Sequence, residues 1–220
     1  MCGKFTQMMS WGTLVELADL QGSIHDDGVE TVTPMRLANV IALDGEGRRK
    51  SVRMRWGLVP PGTKDPMTVK PHIHARAETI DSKPTFREAF RGRRGLIVVS
   101  TFNEGREITP TKTEQHVMTP QDGKPIAIAV IWERWAERQG SSLLSFAMVT
   151  VPPNDLIGTI TDRMPALIAD TDWPKWLGEE PATVAELKAM LRPSNRALDM
   201  RVAQKPASKP KKGSDEPTLL

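Results

Sequence analysis

The chain has 220 residues, 39% of them apolar and 26% charged, with a net charge of +3 and a single cysteine. That length suits one large domain with a substantial core; the lone cysteine excludes an internal disulfide framework, and the histidines lack the paired Cys/His spacing of a structural zinc site. No apolar run approaches a membrane span and no signal-peptide core opens the chain, so a cytoplasmic protein without membrane contact is expected. In the last twenty residues five cations (Arg201, Lys205, Lys209, Lys211, Lys212) face two anions (Asp215, Glu216), which accounts for the whole excess charge. The body is therefore near neutral, and a nucleic-acid surface on it would rest on local clusters such as Arg48, Arg49, Lys50, Arg53 and Arg55, or Arg87, Arg91, Arg93 and Arg94. Such clusters are also common on ordinary solvated faces.

In chain order, a strand-like N-terminal piece is followed by Ser10, a residue type that caps helices, and by an apolar stripe of Leu14, Leu17 and Ala18 that predicts a helix to about Leu20. Residues 21–28 read as a polar loop with an exposed His25. The run Leu37–Leu43 (LANVIAL), the turn Asp44-Gly45-Glu46-Gly47 and residues 51–59 predict a hairpin. An extended segment covers 73–79, and Pro84 opens a short helix, proline being tolerated in a first turn. Residues 95–101 predict a buried strand with Glu104 just past its end, where a carboxylate would face a cleft. Residues 115–119 and 125–132 suggest a second hairpin around 121–124, followed by a strand over Ser142–Val151. A helical turn near 156–160, a turn capped by Asp172 and a helix from Thr183 to near Pro193 complete the pattern. The sum is one α+β domain, antiparallel strands with short peripheral helices, over residues 1–202. The Lys-, Pro- and Ser-rich segment 203–220 cannot bury a core and is expected to be a disordered basic tail.

The chemistry-bearing stretch is Met1-Cys2-Gly3-Lys4-Phe5. Removal of the initiator methionine before a small residue would leave Cys2 with a free α-amine beside its thiol. An α-amine with a pKa of about 7.7–8.0 is substantially unprotonated at neutral pH and can attack an aldehyde to give a Schiff base. The neighbouring thiol can then close on the imine carbon as a five-membered thiazolidine. A second-position cysteine with no chemical role is the competing reading. No phosphate-binding glycine loop, nucleophile elbow or metal triad is present, and no metal or organic cofactor is implied.

Several stretches fall in one order. They are Met1 to Phe5; Arg55-Trp56-Gly57-Leu58-Val59-Pro60; Ala75-Arg76-Ala77-Glu78-Thr79; and Lys83-Pro84-Thr85-Phe86-Arg87-Glu88-Ala89-Phe90. Ile131-Trp132-Glu133-Arg134-Trp135, Thr150 with Asn154, and Asp162-Arg163-Met164-Pro165 follow. Together they resemble the motifs of the SRAP family, the SOS response-associated peptidases, across about residues 1–177. The resemblance implies a barrel-like β core. It also implies covalent capture of abasic sites in single-stranded DNA by the N-terminal Cys2, as a lyase-like crosslinking protein that removes its own Met1 by autoproteolysis. Glu104 matches the family's general acid/base. Arg76 and Arg163 match arginines that grip backbone phosphates, and Thr150 a DNA-contacting threonine. The implied setting is a nucleoid-associated monomer that protects damaged DNA.

Some positions depart from the pattern. His74 stands for the asparagine before A-R-A-E, and Thr161 for the histidine before D-R-M-P. Gly62 stands where a tryptophan is expected, and Asn103 and Gly105 replace the aromatics flanking Glu104. Losing a stacking surface removes roughly 1–3 kcal/mol per base contact, so DNA would be held more weakly or differently. The histidine exchange leaves three readings: His74 takes over orientation and proton transfer, Thr161 leaves a slow and nearly irreversible crosslinker, or the chemistry is lost. A non-catalytic binder of single-stranded DNA and a thiol peptidase acting on proteins remain as rivals.

Overall fold

The structure, a computed structural model, describes residues 2–7, 11–20, 30–136, 140 and 142–203. Ser10, the 21–28 loop with His25, and the tail beyond 203 lie outside the described residues.

The architecture is organised by β10 (Ser142–Val151), which bonds to other strands along both edges. One edge carries β9 (Ile126–Ala136) and then β11 (Met164–Pro165); the other carries β4 (Arg49–Trp56) and then β5 (His74–Arg76). β4 continues to β3 (Leu37–Leu43), β3 to β6 (Arg94–Val99), and β6 back to β9. The pairings β10-β4-β3-β6-β9-β10 therefore close a ring. All contacts in it are antiparallel except those of β10 with β4 and β5, which are parallel.

A second, antiparallel sheet has the order β12 (Leu198–Val202), β8 (Lys112–Pro120), β7 (Thr101–Thr109), β1 (Lys4–Gln7), β2 (Glu30–Val32). The helices are short and peripheral: α1 (Trp11–Ala18), α2 (Arg87–Gly92), α3 (Asp155–Gly158), α4 (Trp173–Leu177) and α5 (Val184–Met190).

Local chemistry explains the elements read correctly from the sequence. In the β3–β4 hairpin the Asp44 carboxylate accepts the backbone N–H groups of Glu46 (2.9 Å) and Arg48 (3.0 Å), closing the turn. Helix α5 begins with a capping box: Thr183 Oγ1 accepts the Glu186 N–H, and Glu186 reaches back to the Thr183 N–H. The first six residues of β9 are all buried, as a strand covered on both faces requires, and only its second half alternates with solvent.

Three expectations differ from the structure. Residues 94–109 form two strands separated only by Ser100, whose N–H bonds the Thr6 carbonyl, and the chain changes sheets there. Glu104 is accordingly the fourth residue of β7 rather than a residue past a strand end. β8 and β9 make no hairpin with each other, because β8 pairs with β7 and β12 while β9 pairs with β6 and β10. Proline at each end of the connection, Pro120 and Pro125, cannot donate to a ladder there, and the chain crosses between the sheets. The third is Asp172, which makes no side-chain cap to α4.

The core is centred on Trp56, which is fully buried, lies 5.1 Å from Phe5 and 6.3 Å from Phe146 between ring centroids, and donates Nε1–H to the Ile73 carbonyl at 2.9 Å. Gly57 follows at φ +138°, where an added Cβ would fall 2.9 Å from the Pro71 Cβ. Left-handed backbone and close approach together specify glycine here. Gly57→Ala is expected to lower unfolding stability by about 1–3 kcal/mol, read as a shift in the urea midpoint.

Candidate functional site at the amino-terminal strand

β1 places the amino terminus. It pairs with β7 in the register Lys4↔Asn103, Phe5↔Phe102, so the residues just before Lys4 continue alongside Glu104. Gln7, buried at the other end of β1, donates Nε2–H to the Asn39 and Val98 carbonyls (both 3.2 Å) and accepts the Asn39 N–H. The strand is thereby tied to β3 and β6 of the ring as well as to its own sheet.

The Cys2 carbonyl accepts a hydrogen bond from His74 Nε2 at 2.7 Å, and the Cys2 N–H lies on the Glu104 side, where it favours the charged carboxyl. The thiol is buried and donates weakly to the Lys4 carbonyl at 3.5 Å. Burial first, and the Glu104 charge second, push the thiol well above the usual thiol range, so the sulfur stays protonated at neutral pH. Burial also pushes the Glu104 carboxyl up to about 7, against the amino-terminal charge and the Cys2 N–H, which pull it down. A carboxyl with that value is present in both forms at neutral pH and can give or take a proton.

His74 is set differently from a proton shuttle. Accepting carbonyl geometry fixes Nε2 as the donor, and burial drives the imidazole down to about 4. The ring is neutral at pH 7 and clamps Cys2, steadied by the Trp56 indole, whose ring centroid lies 6.2 Å away in an edge arrangement. The charges of Asp162 and Arg163 act on Glu104 and His74 respectively, so the 161–163 segment lies near the same site. Thr161 is half-buried there, its N–H bonded to the Ile157 carbonyl at 3.0 Å.

Arg76 and Arg163, paired in the sequence reading, both lie next to Thr150 but differ in exposure. Arg76 is exposed, two residues beyond His74 on β5. Arg163 is buried and committed to the protein: Nη1 and Nη2 fork onto the Glu78 carboxylate, the Nη2 contact at 2.9 Å, and Nη2 also reaches the Thr150 carbonyl at 2.6 Å. The same guanidinium holds the Glu78 carboxyl below its ordinary range. Thr150 is buried too, and its carbonyl also accepts the Ala77 N–H at 2.9 Å. Arg163 and Thr150 thus brace β5 and β10 from within the protein. Among the described residues no group of three or more His, Cys, Asp or Glu side chains could hold a metal ion.

His116, which sequence reasoning passed over, lies opposite Glu104 in the β7–β8 ladder. No local motif marks it, since the two are brought together only by strand register.

Fold and site together define a two-sheet β protein whose second residue, Cys2, lies beside a buried carboxyl and a neutral imidazole. The sequence pattern of the SOS response associated peptidase (SRAP) family matches residues 1–208, and the chain belongs to that family. It is 30% identical over 210 residues to the abasic site processing protein YoqW of Bacillus subtilis (strain 168), covering 93% of this chain and 92% of that one. The abasic site processing protein HMCES of Xenopus tropicalis is 26% identical over 152 residues, 58% of this chain and 45% of that one. Among solved structures, a protein from Bacteroides thetaiotaomicron superposes with a TM-score of 0.81 at 21% identity over 92% of each chain. A protein from Bordetella bronchiseptica does so with 0.76 at 22% identity, over 93% of this chain and 100% of that one. No helix among the described residues is long and apolar enough to cross a membrane.

The Glu104 carboxyl links stability to pH. Folded, it keeps its proton to about pH 7, whereas its ordinary value is 4.5. Between those values the folded state binds more protons than the unfolded state, so stability falls as pH rises through the window. Glu104→Gln removes that fall: from pH 4.5 to pH 8 the parent is expected to lose roughly 3 kcal/mol relative to the variant, measured by urea denaturation at both pH values.

Proposed function

We propose that the protein captures abasic sites in single-stranded DNA covalently through Cys2 after removing its own Met1. The observation that carries this reading is the position of Cys2, its carbonyl bonded to His74 and its N–H directed to the side of the buried Glu104 carboxyl. Once the peptide bond to Met1 is cleaved, that nitrogen is an α-amine already beside a carboxyl that exchanges protons at neutral pH. The abasic site processing proteins among the relatives support the substrate class.

The state of the thiol fixes the order of steps. A sulfur that stays protonated is a poor first nucleophile, so the amine attacks the ring-opened sugar aldehyde. The carbinolamine then loses its hydroxyl as water, with a proton from Glu104. Sulfur adds to the imine carbon, and the thiol proton returns to Glu104. Aldehyde and aminothiol become thiazolidine and water, with no bond left open. His74 orients Cys2 through its carbonyl and leaves proton transfer to Glu104. Arg76, exposed on β5, contacts a backbone phosphate, while Arg163 and Thr150 brace the strand that carries it. Thr161 supplies no imidazole for reversal, so the crosslink is expected to be long-lived.

Incubation with an abasic single-stranded oligonucleotide should give a slower, covalent band on a denaturing gel, and the intact mass of the free protein should lack one methionine residue. Cys2→Ala should abolish that band and leave only an imine that borohydride traps. A parent protein that binds the oligonucleotide but gives no covalent band would instead establish a non-reacting DNA binder.

A further inference from the structure

Glu104 and His116 are directly opposed across the β7–β8 ladder. Opposed residues of an antiparallel pair project from the same face with Cβ atoms about 4.5–5.5 Å apart. That face is the inner one, because the next opposed pair on it, Phe102 and Met118, is fully buried. His116 is itself only 7% exposed, while Glu104 is wholly enclosed. The outward neighbour of His116 on the same face of β8 is Glu114, whose carboxylate lies 3.0 Å from His116 Nε2 and whose side chain is 38% exposed. With Nε2 engaged there, Nδ1 is the ring's second nitrogen. Around this file stand Arg106 on β7, opposite Glu114, and Val202 on β12, opposite His116.

We propose that His116 relays protons between the enclosed Glu104 and solvent by way of Glu114. The inference rests on the capture reaction proposed above and supplies a step that reaction needs. A terminal amine that begins as ammonium reacts with an aldehyde and a thiol to give thiazolidine, water and one proton. Glu104 accepts the ammonium proton and spends it on the departing hydroxyl; the thiol proton that follows is the one that must leave. It passes from Glu104 to His116 Nδ1, while the Nε2 proton moves to Glu114 and then to water. Reversal of the crosslink runs the same file inward. Imidazole is the side chain suited to such two-ended exchange near neutral pH. His74 cannot serve, since its one donor is fixed on the Cys2 carbonyl.

The test measures formation and reversal of the covalent band on abasic single-stranded DNA from pH 5.5 to 8.5, for the full-length parent, His116→Gln and Glu114→Gln. General acid–base groups contribute about 10²–10⁴-fold, and removal of a relay to such a group is expected to slow both directions about tenfold in His116→Gln. The pH dependence should flatten, while binding to intact single-stranded DNA is unchanged. Glu114→Gln, an exposed substitution, should slow both directions about threefold, and it decides the matter if His116→Gln fails to fold. Parent-like rates and pH profiles in the folded variants would overturn the relay while leaving covalent capture standing. Absence of a covalent band in the parent would instead overturn the capture reaction, and the relay with it.

Discussion

Pairing of four-residue β1 with β7 is the constraint on which the site depends. The ladder bonds from Lys4 to Thr6 fix the direction in which the chain emerges toward its amino end, and Gln7 locks the far end of the strand to the ring. Only Gly3 separates Cys2 from Lys4, the first paired residue, so little slack exists between the ladder and the reactive group. A flexible terminus would lose conformational freedom at the moment of reaction, at about 1–2 kcal/mol per residue. Here that ordering is already done by folding.

The second constraint is electrostatic. Enclosure of Glu104 raises its proton affinity, and enclosure of His74 lowers that of the imidazole, so the two groups are driven toward opposite behaviours by the same low-dielectric surroundings. The carboxyl is left able to exchange protons near neutrality, while the imidazole becomes a fixed neutral donor. The buried arginine nearby is compensated: Arg163 shares its charge with Glu78 and turns two more bonds onto Thr150. A bare guanidinium there would be costly to enclose.

Much of the ring was legible because its strands carry local signals. Leu37–Leu43, the Asp44 turn and Ser142–Val151 are apolar runs with clear punctuation, and each is a strand or turn in the structure. The pairing partners were not legible. The sheet change at Ser100 has no compositional mark, and the proline-flanked 120–125 connection looks like a hairpin until its strands find stronger partners elsewhere. The same limit applies at the site. Cys2, His74 and Glu104 could be singled out by residue type and motif, whereas the opposition of His116 to Glu104 exists only through register. For Arg163 the motifs offer both Glu78 and Asp162 as carboxylate partners, and the structure selects Glu78, 85 positions away in sequence.

The ring closed by β10 has a consequence for how the molecule comes into being. Strands β4 and β5 must wait for a partner that is made some 70 to 90 residues later, and β1 must wait for β7 about as long. Contacts so distant along the chain make folding slow and concerted. During synthesis, the cysteine would therefore spend its early life on an unassembled segment, acquiring its surroundings only as the later strands arrive.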